Sequence, residues 1–117
     1  MQLSRVPKNA RRLPPFIMSY ERTVWCNDGI ATIYIDYAMN TPFLLIDIHS
    51  AMLPSVAKEL YWRLARIQRQ LEEAGYPAVF TYANKKNTLA QKLASMYGFK
   101  KTCDVDGHIV YTQTTRI

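Results

Sequence analysis

The amino-acid sequence predicts an α+β domain: a mixed sheet flanked by two helices, in the order βββ-α-β-α-ββ, behind a basic extended arm. Three observations carry that expectation. Apolar residues recur at helical spacing in two separate stretches, turn residues bracket the alternating stretches around them, and the first fifteen residues show neither pattern. Length and composition agree, because 117 residues that are 49% hydrophobic and 21% charged can bury a core without disulfide or metal staples.

Residues 1–15 read as the arm: Pro7, Pro14 and Pro15 oppose helix, and Arg5, Lys8, Arg11 and Arg12 place four positive charges there with no negative one. Residues 16–117 form a single domain. From Phe16 to Cys26 apolar and polar residues roughly alternate, and Asn27-Asp28-Gly29 is a hairpin signal because Asp and Gly tolerate positive φ. A second strand runs from Ile30 to Tyr37. Asn40-Thr41-Pro42 breaks it, and Phe43 to Ile48 is an apolar run that suits a strand buried on both faces. The period then changes to helical. Val56, Leu60, Leu64, Ile67 and Leu71 form one stripe, with Pro54 fitting the first turn and Gly75 lying just past the end. Ala78 to Ala83 reads as a central strand beside the third. Asn87 caps a second helix that buries Leu89, Ala90, Leu93 and Tyr97 and closes at Gly98. Lys100 to Val105 and His108 to Gln113, joined by Asp106-Gly107, make a final hairpin.

The net charge of +6 falls in two zones, the arm and a cluster of Lys85, Lys86, Lys92, Lys100 and Lys101. Such zones suit nucleic acid, a phosphorylated cofactor or an acidic partner. Arg5, Lys8, Arg11, Arg12, Lys85 and Lys86 would meet nucleic acid, with Tyr34, Tyr37, Tyr61, Trp62 and Tyr82 available to stack on bases. A protein partner or homo-oligomer is the preferred use of the aromatic surplus. Cys26, Cys103, His49 and His108 show no metal-ligand spacing, so no metal is expected. With no apolar run long enough to span a membrane and no signal-type segment, the expected location is cytoplasmic.

The segment Asn87-Thr88-Leu89-Ala90-Gln91-Lys92-Leu93-Ala94-Ser95-Met96-Tyr97-Gly98-Phe99 resembles, in register, the N-x-x-A-x-x-L-Y-x-x-x-G-F helix of the GNAT (GCN5-related N-acetyltransferase) superfamily. The element order agrees from about residue 16 to 113, so the resemblance implies a GNAT-like sheet truncated at its N-terminus. Ile48 to Lys58, with Asn84 to Gly107, is also similar to the small GNAT-like internal virion proteins of T7-like podophages.

The resemblance implies acetyl-CoA as donor and an amine as acceptor. The family's R/Q-x-x-G-x-G/A pyrophosphate loop falls on Met52-Leu53-Pro54-Ser55-Val56-Ala57, where Met52 replaces the basic or amide residue and Pro54 removes one N–H. Met52, Ser55, Val56, Ala57 and Asn87 are therefore the candidate cofactor-binding residues, and acetyl-CoA is expected to bind weakly, with a dissociation constant of about a millimolar or worse, or roughly −4 kcal/mol. The family's acidic Tyr falls on Ala94, which leaves Tyr97 as a surrogate acid, with Asp47 or His49 as base. These departures favour a degenerate GNAT-fold phage protein that acts by protein binding, as a virion component, assembly factor or host-takeover protein, in the host cytoplasm or packaged in the virion. The alternatives are an acetyl-CoA-dependent N-acetyltransferase and a basic nucleic-acid-binding module.

Overall fold

Three hairpin-linked strands open the computed structural model, which describes residues 13–14, 17 and 19–114: β1 (Glu21–Asn27), β2 (Ala31–Ala38) and β3 (Thr41–Ile48). Helix α1 (Pro54–Glu73), strand β4 (Ala78–Asn84), helix α2 (Thr88–Met96) and the hairpin β5 (Lys100–Val105) and β6 (His108–Thr114) follow, in the expected order. One six-stranded sheet results, ordered β1-β2-β3-β4-β6-β5. Only β3 and β4 are parallel neighbours; every other adjacent pair is antiparallel.

Strand alternation sorts the core into two faces. On the front, Ala31, Ile33, Ile35, Leu44, Val79 and Ala83 meet the α1 stripe of Leu60, Leu64, Ile67 and Leu71. Each of those four helix side chains is buried, and each contributes about 1.5–3 kcal/mol of transfer free energy. The back face carries Tyr34, Ala38 and Leu45, covered in part by Leu13, Ile17 and Tyr20. Leu13, within the stretch read as arm, is therefore part of this packing; residues 1–12, with Arg5, Lys8, Arg11 and Arg12, lie outside the described residues. Also on the back face, Arg22 donates Nε and Nη2 to the two carboxylate oxygens of Asp36, both at 2.7 Å, while its guanidinium lies 4.2 Å from the centre of the Tyr34 ring. Asp36 has no exposed side-chain surface.

The turns correct two expectations. Neither Asp28 nor Gly29 has a positive φ; the β1–β2 turn is held instead by the Asp28 carboxylate, which accepts the N–H groups of Ile30 and Ala31 and both ends of the Arg63 guanidinium. The hydrogen bond from Arg63, then those from Ala31 and Ile30, hold the Asp28 carboxyl down at about 2. The β2–β3 turn is Met39-Asn40, and Thr41 and Pro42 belong to β3, Pro42 opposite Tyr37, rather than breaking a strand. Met39 and Asn40 have φ of 51° and 64°, as a two-residue type I′ turn requires, yet Met is poorly suited to that region. Since Met39 is 95% exposed, replacing it costs no packing. The double change Met39→Asn and Asn40→Gly is expected to stabilise the domain by about 1 kcal/mol, read as a Tm rise of roughly 4 °C in a thermal melt. The Asp106-Gly107 turn has positive φ at both positions, as its sequence requires.

Helix α2 corrects a third expectation. Leu89 is 65% exposed, and the inward face is Ala90, Leu93, Ala94 and Tyr97, none of them fully buried. Their half-burial has a physical cause: they face a cavity rather than a packed core.

Candidate functional site

The register of β3 and β4 consists of Phe43 opposite Phe80, near the start of both strands, with Thr81 Oγ1 donating to the Leu44 carbonyl just beyond, at 2.7 Å. Further along, β3 stays paired with β2 to Ile48 and β4 stays paired with β6 to Asn84. The sheet is therefore split at its centre. Helices α1 and α2 pack over the same face, and since each follows the C-terminal end of β3 or β4, both helix N-termini lie at the split end. A cavity of about 80 Å³ opens there. Its floor is Leu44, Ile46 and Ile48 of β3 with Thr81 and Tyr82 of β4, and its roof is Leu60 and Leu64 of α1 with Ala90, Leu93, Ala94 and Tyr97 of α2. One water-sized probe occupies about 10–15 Å³, so the space suits a slender chain and not a ring system.

Two alanines one turn apart, Ala90 and Ala94, keep α2 from filling the gap. The Tyr97 hydroxyl ties the far end of α2 to α1 by donating to the Ala57 carbonyl at 3.1 Å, and burial pushes its pKa up. At the α1 N-terminus, Leu53 occupies the cap position without a side-chain hydrogen bond, Pro54 follows, and Ala57 N–H bonds the Leu53 carbonyl at 2.9 Å. The Ser55 and Val56 N–H groups remain as the donors of this helix end, and the helix dipole adds positive potential to them. The residues around them supply no charge: Met52 and Leu53 are exposed apolar residues, and the Val56 side chain packs on the front core.

The candidate base residues lie on the other side of the sheet. Asp47 alternates with Ile46 and Ile48, which line the cavity, and its charge acts on Tyr34 of the back face. His49, exposed, places Nε2 2.6 Å from Thr32 Oγ1, which donates to Asn27 Oδ1 at 2.8 Å. Neither residue adjoins Tyr97 in the cavity wall. Tyr82 connects the two sides, because it lines the cavity and also packs with the back-face cluster. Asn87 caps α2, its Oδ1 accepting Ala90 N–H at 3.0 Å. Sequence reasoning named Tyr97 and put Ala90 and Leu93 on the inward face of α2, but missed Ile46, Ile48 and Thr81 as wall residues; the alanine pair in α2 was the available signal.

Elsewhere, Lys85 and Lys101 both pair with Asp104, at 3.3 and 3.4 Å, which partly neutralises the second basic zone. Tyr34 is 1% exposed and cannot stack on a base, whereas Tyr61 and Trp62 are each 56% exposed. Cys26 and Cys103 are free. Among the described residues no group of three or more His, Cys, Asp or Glu side chains could hold a metal, and no helix is long and apolar enough to cross a membrane.

No family model matches the chain, and no curated protein does. Solved structures do. The Campylobacter jejuni N-acetyltransferase PseH is similar at 16% identity and a TM-score of 0.57, over 73% of this chain and 59% of that one. A GNAT family acetyltransferase from Listeria monocytogenes gives 14% and 0.53, over 73% and 57%. The chain has the GNAT fold. The microcin C7 self-immunity acetyltransferase MccE, solved with acetyl-CoA and AMP, shares it at 12% identity and a TM-score of 0.53, over 73% and 54%. This GNAT-fold chain thus spans 54 to 59% of the length of the three. None of them is a phage virion protein, so the narrower resemblance gains no support from them.

Proposed function

We propose that this chain binds acetyl-CoA at the split between β3 and β4 and acts as an N-acetyltransferase toward an amine. The observation that carries the proposal is the split itself: two parallel strands joined near their starts, with a narrow, mostly apolar cavity running between them under two helix N-termini. MccE, of the same fold, is solved with acetyl-CoA, which supports that donor here. When bound, acetyl-CoA supplies an acetyl group activated as a thioester. The cavity is narrow and mostly apolar, which suits the slender thioester arm, while the Ser55 and Val56 N–H groups would hold the anionic end. That anchor is sparse, because Pro54 has no N–H to give and Met52 no positive charge. Tyr97, kept protonated by its raised pKa and oriented by the Ala57 carbonyl, holds a proton at the cavity wall. On the back face, the His49 imidazole and the Asp47 carboxylate are the groups that would take a proton from an ammonium arriving on that side of the sheet.

Calorimetric titration with acetyl-CoA tests the proposal. The unaltered chain is expected to bind at about millimolar, roughly −4 kcal/mol. Ala94→Leu, which fills the cavity, is expected to weaken binding at least tenfold (about 1.4 kcal/mol) with Tm held or raised. Equal binding by both proteins would place the ligand elsewhere. A protein-binding reading, in which the fold has lost the chemistry, is favoured by one observation, the exposed apolar Met52 and Leu53 where an anion would lie. Absence of any acetyl-CoA binding would select it.

A further inference from the structure

The outer face of α1, away from the cleft, carries a basic stripe around an exposed indole. Lys58, Trp62, Arg66 and Arg69 follow one another at steps of four, four and three, so they share one side of the helix over about 16 Å. The buried stripe of Leu60, Leu64, Ile67 and Leu71 occupies the opposite side. Trp62 is 56% exposed, and its ring meets Tyr61 edge-on with centroids 5.6 Å apart, so the indole is supported while its surface stays open. Charge pairing separates this face from its neighbour. Arg63, one step round the helix, is engaged by Asp28 and Glu59, whereas Lys58, Arg66 and Arg69 form no ion pair among the described residues.

We propose that this face binds single-stranded nucleic acid, with the three cations on backbone phosphates and one base stacked on Trp62. A single strand offers a run of anions together with unpaired π-faces, and this stripe presents cations and an open indole to meet both. An acidic protein surface would satisfy the cations but leave the indole without a planar partner. A lipid surface would need a broad apolar face, and here only Tyr61 and Trp62 among the α1 apolar side chains are largely exposed. The site is independent of the cleft and of acetyl-CoA.

The test is fluorescence anisotropy of a labelled oligo-dT of about ten nucleotides, within the usual site sizes, against the full chain at several salt concentrations. Trp62→Ala is expected to weaken binding about tenfold with the log–log salt slope unchanged. The triple variant Lys58→Gln, Arg66→Gln, Arg69→Gln is expected to reduce that slope by about 2, since each phosphate contact on a single strand contributes roughly 0.7. Because all four side chains are on the outer face, both variants should melt as the parent does. Three results would overturn the proposal: both variants binding like the parent, which moves the contact elsewhere on this basic chain; polyglutamate competing as well as oligo-dT; or vesicles of anionic phospholipid shielding Trp62 from a soluble quencher while oligo-dT does not bind.

Discussion

Replacing Arg22 with methionine is expected to cost about 3–5 kcal/mol of folding free energy, more than any other substitution proposed for this chain. The change leaves the Asp36 carboxylate, wholly buried on the back of the sheet, without the two 2.7 Å charge-assisted hydrogen bonds that compensate its desolvation. It also removes the cation held 4.2 Å from the Tyr34 ring centre. The pair itself is not expected to outperform an apolar replacement. The double variant Arg22→Met, Asp36→Leu should therefore recover most of the loss, because the expense of a broken buried pair is the orphaned charge rather than the missing attraction. Urea unfolding of the parent, the single and the double variant reads the effect as midpoints at constant slope. A single-variant cost below about 1 kcal/mol would mean that the pair is solvated, since that is the range of exposed pairs.

The second large effect lies where α2 ends. Gly98 has a φ of +92°, and a Cβ placed there would come 2.5 Å from Gln113 Nε2. Gly98→Ala is expected to destabilise by about 2–3 kcal/mol. Left-handed backbone costs a non-glycine residue about 1–2 kcal/mol. The remainder, about 1 kcal/mol, is the hydrogen bond from Gln113 Nε2 to the Tyr97 carbonyl, 3.1 Å long, which breaks when the glutamine swings away. In a Gln113→Ala background the same substitution should cost only the backbone part. Urea unfolding of the four proteins separates the contributions, and an undiminished cost in that background would remove the glutamine from the account.

The parts of the fold that follow local periodicity were legible in the sequence. The stripe of Leu60, Leu64, Ile67 and Leu71 and the paired positive φ at Asp106-Gly107 need only helical spacing and turn chemistry. Where two local rules competed, tertiary contacts decided. Asp28 had both a hairpin signal and a side chain able to accept backbone N–H groups, and Arg63, thirty-five residues later, favours the second. Leu89, four residues before Leu93, also satisfied helical spacing, but the face turned to the sheet is that of Ala90, Leu93, Ala94 and Tyr97, and Leu89 stays 65% exposed. For the candidate site, the family resemblance located the α2 wall, but no local pattern encodes a gap between two strands. Strand alternation does put Asp47 on the face opposite Ile46 and Ile48, and with them lining the cavity the carboxylate is bound to lie across the sheet from Tyr97.

The central split also bears on the order in which the chain acquires its structure. All pairings among β1, β2 and β3 are between sequence neighbours and are complete by Ile48, so this half-sheet can assemble during synthesis before α1 has emerged. The other half needs β6, which closes between β4 and β5 only at the end of the chain. The two halves meet along a seam with little hydrogen bonding of its own, so their alignment depends on α1 lying across both. The helix that borders the cleft is thus also the latch that sets its width.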